Sequence, residues 1–136
     1  MDKARSFFIY VLIFVIGGLS YCFLELLFRG RTHLSMFFAG GASAVMLHII
    51  ATKSSAPAWK KWIVAGAAIT TMEFIVGAVV NLRMRLAVWD YSHMPMNLLG
   101  QISLQFSVLW VVLAIPVIWL FERIQKIYNT KRGRSI

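Results

Sequence analysis

The sequence predicts an all-α polytopic membrane protein with four transmembrane helices, and three observations predict it. Hydrophobic residues fill 60% of the chain and charged residues only 14%, against roughly 25% charged in an ordinary soluble domain. The apolar residues gather in four runs, and about 20 helical residues cross the ~30 Å hydrocarbon core of a bilayer. The 14 lysines and arginines stand between and beyond these runs, against 5 acidic residues.

The first run is Ser6–Phe28. Its charged start and apolar continuation look like a signal peptide. The run nevertheless passes through Gly17-Gly18 to Phe28 without an A-x-A site behind a short apolar core, so it reads as the first helix. It stops at Arg29-Gly30-Arg31-Thr32-His33. The second run, Leu34–Ile50, is rich in small residues (Ala39, Gly40, Gly41, Ala42, Ser43, Ala44), which let helix backbones approach closely in lipid. Thr52–Lys61 is a polar loop with Pro57. The third run, Trp62–Asn81, again carries small residues, Ala65 to Ala68 and Gly77-Ala78. Leu82–Gly100 is an irregular connection that can dip back into the membrane. The fourth run, Ile102–Phe121, holds Pro116, a residue able to kink a helix. Glu122–Ile136 is a basic tail, read as a short helical extension that frays. The 136 residues make one membrane domain.

Four spans put both termini on one side, and the basic residues choose which. Lys3, Arg5, Lys53, Lys60, Lys61, Arg123, Lys126, Lys131, Arg132 and Arg134 lie on the terminal side; only Arg29, Arg31, Arg83 and Arg85 lie on the other. The sequence therefore places the termini in the cytoplasm and the protein in the cell membrane. A net charge of +9 would suggest nucleic acid in a soluble protein. Here its placement points to anionic headgroups at the cytoplasmic face, and no nucleic-acid partner is expected. The one cysteine, Cys22, lies in an apolar run and reads as a packed, inert thiol.

A compact polar set remains once lipid-facing residues and the basic rim are set aside. Around the end of the first helix it holds Glu25, Arg29, Arg31, Thr32 and His33. The third helix adds Glu73 and Asn81. The last connection and fourth helix add Arg83, Arg85, Trp89, Asp90, Tyr91, Ser92, His93, Asn97, Gln101 and Gln105. Glu73 is the deepest, near mid-membrane, where insertion of an acidic side chain costs about 2.5–3.5 kcal/mol. It should face the bundle interior, protonated or paired, with Arg29 or Arg31 as candidate partner. Glu25 stands one turn before Arg29, so those two can pair. The outer arginines can hold an anion such as phosphate, or neutralise Glu25, Glu73 and Asp90, or snorkel to headgroups. His33, His48 and His93 share no ligand spacing, so no metal site is expected. No nucleophile elbow, Walker motif, HExxH or dinucleotide fingerprint occurs, and nothing names a cofactor.

The last connection also resembles a known family. Trp89-Asp90-Tyr91-Ser92, followed by Pro95, Asn97, Gly100, Ile102 and Leu104, matches the WDYS-x-x-P-x-N-x-x-G-x-I-x-L signature of the small bacterial membrane proteins named ABC transporter permeases of the CmpB type. Glu73-Phe74-Ile75-Val76-Gly77 looks like that family's E-[FY]-x-x-G element, and Glu25 like its glutamate at the end of the first helix. The resemblance spans nearly the whole chain. It implies four to five helices and a transport-type role without a substrate, and it marks Glu73, Trp89, Asp90, Tyr91, Ser92, Pro95, Asn97, Gly100 and Glu25.

Three functions follow as expectations. The first is a transporter or channel-like protein with an outward-facing polar cavity, with Glu25, Glu73 and Asp90 as its charges and Arg29, Arg31 and Arg83 as counter-charges. Four short helices enclose little volume, so a homodimer or partner subunit is expected, with the small-residue faces of the second and third helices as the interface. The second is an enzyme acting on a lipid or phosphorylated headgroup, using His33 or His93 as base; the reading leans against an enzyme. The third is a non-catalytic assembly subunit.

Overall fold

The computed structural model describes residues 2–135. Among them four helices are long and apolar enough to cross a membrane. In chain order they are α1, Lys3–Arg29; α2, Leu34–Lys53; α3, Ala58–Gly77, which runs on through a π-helical turn over Ala78–Arg83; and α4, Leu104–Gly133. The connection before α4 carries a two-residue antiparallel ladder, β1 (Asn97–Leu98) with β2 (Ile102–Ser103), registered Asn97 to Ser103 and Leu98 to Ile102. This is an all-α membrane architecture, with large apolar side chains such as Phe7, Phe23, Leu27, Ile63, Val108 and Trp119 exposed along the helices. In water such a surface would associate; in lipid it is solvated.

All four helices are longer than their apolar runs, α3 and α4 by the most. α3 begins directly after Pro57, whose fixed φ suits a helix start and whose missing N–H costs nothing there. The polar loop shrinks to four residues, 54–57. α4 continues through the basic tail to Gly133. There Lys131 and Arg132 sit in its last turn, where cations favour the helix dipole. Pro116 lies within α4, and the helix carries on past it.

α1 rests on α2 through glycine. A Cβ on Gly17 would meet the Ala44 Cβ at 2.2 Å, and one on Gly40 would meet the Tyr21 Cβ at 2.5 Å. Only Gly18 and Glu25 are buried in α1. In α3, a Cβ on Gly66 would meet Val111 of α4 at 2.2 Å. The small residues expected to form an interface between subunits are thus occupied within the chain at these points.

Two apolar clusters hold the bundle. One joins Leu47 and Ala51 of α2, Ala65 of α3, and Ala114 and Ile118 of α4 near the terminal end. The other joins Met36 of α2, Val80 of the π-turn, and Val88 and Trp89 of the connection at the opposite end, with Tyr21 of α1 against it. Arg5 of α1 lies over the Tyr128 ring of α4, 5.5 Å from its centre, so the N- and C-terminal segments share one end of the bundle.

Candidate functional site

The end of the bundle away from the termini is organised by the connection 84–103. The π-turn widens the end of α3: Met84 N–H donates to the Val79 carbonyl and Leu86 N–H to the Val80 carbonyl, both at 2.9 Å. Asn81, on that turn, accepts from Val88 N–H at 2.7 Å and donates to the Gln101 side chain at 2.8 Å. Trp89 packs in the space that Gly77 leaves open, since a Cβ there would meet its ring at 2.9 Å and Gln101 Oε1 at 2.6 Å. The Trp89 indole N–H donates to the Gln101 carbonyl at 3.0 Å.

The rest of the connection is a closed turn. Asp90 accepts from Ser92 N–H at 2.8 Å, and this backbone bond, with the Ser92 hydroxyl behind it, holds the Asp90 carboxyl below its usual range. Asn97 donates to the Met94 carbonyl at 2.8 Å and accepts from Gly100 N–H at 2.9 Å. Tyr91 N–H donates to the Gly100 carbonyl at 2.8 Å. Gly100 has φ +70°, and a Cβ on it would stand 2.8 Å from Asp90 Oδ1. The turn presents Tyr91 inward, where burial and then the charge of Glu73 raise its phenol above the ordinary value. The phenol therefore keeps its proton and donates.

Its acceptor is Glu73. Tyr91 Oη donates to Glu73 Oε1 at 2.7 Å, and Trp110 Nε1 of α4 donates to Oε2 at 2.9 Å. Among the described residues no lysine, arginine or histidine forms a salt bridge with Glu73. The expected arginine partner is thus replaced by two neutral donors. Arg29 instead pairs with Glu25 at 2.8 Å, as the one-turn spacing predicts, and its other nitrogen donates to the Val88 carbonyl. Arg31 is exposed and gains no partner among the described residues.

Glu25, Arg29, Glu73, Trp89, Tyr91, Tyr21 and Trp110 border one cavity of about 620 Å³. It runs between α1 and α4, floored by Met36, Gly40, Ser43 and Leu47 of α2. Its lining on α1 extends from Ile9 to Arg29, about 30 Å at 1.5 Å per residue. Most of the lining is apolar, and the charged groups gather at the connection end. His48 and Gln125 stand at the other end. His48 is packed between the Tyr10 and Phe121 rings, and its buried Nδ1 has no hydrogen-bond partner among the described residues.

The other residues marked from the sequence take separate places. His33 caps α2: its Nδ1 accepts from Ser35 N–H at 3.1 Å. Arg83, Arg85, His93 and Gln105 are exposed and make no side-chain hydrogen bond among the described residues. Asp90, Ser92 and Asn97 shape the turn, and Asn81 and Gln101 brace it. Tyr21 and Trp110 lie within apolar runs, and nothing in their sequence context distinguishes them from lipid-facing rings. Lys61, assigned to the basic rim, turns inward to Glu122 at 2.8 Å and the Ala51 carbonyl at 3.1 Å. There it satisfies one of the last-turn carbonyls that a helix leaves free.

No curated protein and no solved structure matches the chain. A family model does match, over residues 4–134, and its description is "Putative ABC-transporter type IV". With its four apolar helices, the chain belongs to that family and is an integral membrane protein of transporter type.

Proposed function

We propose that the groove between α1 and α4 is the translocation pathway of a small transporter, with Glu73 and Glu25 at its outward end. The observation that carries this reading is a cavity as long as a membrane is thick, with its charges confined to one end. An intramembrane carboxylate is costly and by default functional. Glu73 is held in place by Tyr91 and Trp110 while it still borders the cavity. The excess of basic residues on the terminal side sets the proposed orientation, with both termini cytoplasmic and the groove's charged end outside. Those exposed basic side chains meet anionic headgroups, Lys61 excepted.

A single chain leaves the groove bounded by only four helices, so a second copy or another subunit completes the working assembly. The family description points to a partner that hydrolyses ATP, and this sequence holds no Walker motif for that task. The headgroup-enzyme reading draws less support, because the His33 ring is engaged in capping and His93 is exposed and makes no side-chain hydrogen bond among the described residues.

The test is solute flux in proteoliposomes, with and without co-expressed partners, using a panel of monovalent cations, inorganic phosphate and organic cations. Flux of at least one solute is expected, and loss of most of it in Glu73→Gln. A Glu73→Gln protein that is folded and transports as well as wild type rules the pathway out.

A further inference from the structure

We infer that the groove takes an amphiphilic organic cation: an ammonium group at Glu73 with an aliphatic body lying along α1 and α4. This rests on the proposed pathway and names its substrate class. Four features of the site support it.

The first is charge. The head of the groove holds two carboxylates and one guanidinium, and that guanidinium is engaged by Glu25 and by the Val88 carbonyl. The Glu73 carboxylate has hydrogen bonds but no counter-cation among the described residues. With Glu73 ionised, an anion would meet net negative charge there and a cation would complete the set. The three remaining arginines of this end, Arg31, Arg83 and Arg85, do not line the groove.

The second is the chemistry of the walls. Tyr21, Tyr91, Trp89 and Trp110 border the same end of the cavity as Glu73, and the Tyr21 and Trp110 rings lie 6.2 Å apart. Aromatic rings around a carboxylate recognise a quaternary ammonium through charge and ring faces, without a hydrogen bond from the ligand. Tyr91 and Trp110 take one acceptor site on each oxygen of Glu73, so the carboxylate is still open to an ammonium group.

The third is shape. Beyond this head the lining is apolar through Leu12, Ile16, Leu113 and Val117. The volume of about 620 Å³ lies within the ~300–1,000 Å³ of small-molecule sites. A small hydrated ion would leave that surface unused. The fourth is access. Leu12, Ile16, Leu24, Leu113 and Leu120 both line the groove and are exposed, so a membrane-dissolved molecule can enter sideways between α1 and α4.

Equilibrium dialysis of dodecyltrimethylammonium against the purified protein in dodecyl maltoside, with micelle-only binding subtracted, tests this. Saturable binding is expected, at least about tenfold tighter than dodecyl sulfate or dodecanol; tenfold corresponds to 1.4 kcal/mol. Glu73→Gln should weaken the cation about tenfold or more, and Glu73→Asp should restore part of the affinity. Should Glu73→Gln fail to fold, two other variants decide. Tyr21→Leu removes a ring and Ser20→Phe fills the apolar part of the groove, and each should weaken the cation severalfold.

Equal binding of the three amphiphiles, or binding unchanged in every folded variant, overturns the inference and leaves a groove filled by lipid tails alone. If Glu73-dependent flux of a small ion persists while the cation does not bind, transport stands and this substrate class falls. If the cation binds with the expected variant pattern but no solute moves, the site stands and the pathway falls.

Discussion

Glu73 and Gly100 carry the argument at the scale of single residues. Tyr91→Phe removes one of the two donors to the Glu73 carboxylate and leaves a buried acceptor under-satisfied. It should lower stability by about 1–3 kcal/mol, read as a fall in the unfolding midpoint in detergent. Gly100 and Gly30 give an internal contrast. Both have positive φ, +70° and +69°, but only Gly100 has a neighbour within reach of an added Cβ. Gly30→Ala should cost only the left-handed backbone term of about 1–2 kcal/mol. Gly100→Ala should cost clearly more, because Asp90 must also move; equal losses would mean that the turn is not closed as described.

Asp90 adds a pH dependence to that turn. Its carboxyl titrates below the unfolded value near ~3.9, so its contribution is fully present above that pH and is lost as pH falls through the lower, folded value. The protection factor of the Ser92 amide, its exchange measured against the intrinsic rate at the same pH, should therefore fall in acid in the wild type and lose that dependence in Asp90→Asn. The residue types at this site were legible in the sequence because a carboxylate or an asparagine is conspicuous in an apolar chain. The pairings were less so. Glu25 with Arg29 follows from helical spacing, whereas Glu73 with Tyr91 and Trp110 depends on a fold-back between residues 18 and 37 positions apart.

At the scale of elements, the apolar runs located all four helices but not their ends. α3 gains a turn at Pro57 and a π-turn at its far end, and α4 absorbs a tail whose charge had suggested fraying. Hydropathy sees the membrane core, while caps, dipole and tertiary hydrogen bonds fix where a helix stops. The same limit applies to the small residues. Composition marks a close-packing face but not its partner, and in this chain Gly40 faces α1 and Gly66 faces α4. Gly17→Leu should push α1 from α2 against Ala44 and cost about 1–3 kcal/mol or more, seen as a lower thermal midpoint. Lys61 ties α2, α3 and α4 together at the terminal end. Lys61→Met should cost about 1–3 kcal/mol by leaving the Ala51 carbonyl and Glu122 without their donor. Lys60→Met, at an exposed neighbour, should leave the midpoint unchanged.

At the scale of the whole molecule, α1 stands apart from α4 along most of its length, and the groove between them defines the proposed function. Orientation can be read separately. On a Cys22→Ser background, a membrane-impermeant maleimide should label His93→Cys in intact cells and Ser135→Cys only after the membrane is opened. The groove itself is tested most directly by blocking it. On the same background, a cysteine at Ser20 faces the middle of the groove, while one at Leu99 lies on the exposed connection. Modification of Ser20→Cys with a bulky thiol reagent is predicted to stop proteoliposome flux, and modification of Leu99→Cys to leave it intact; undiminished flux after complete modification at Ser20 would contradict a pathway between α1 and α4.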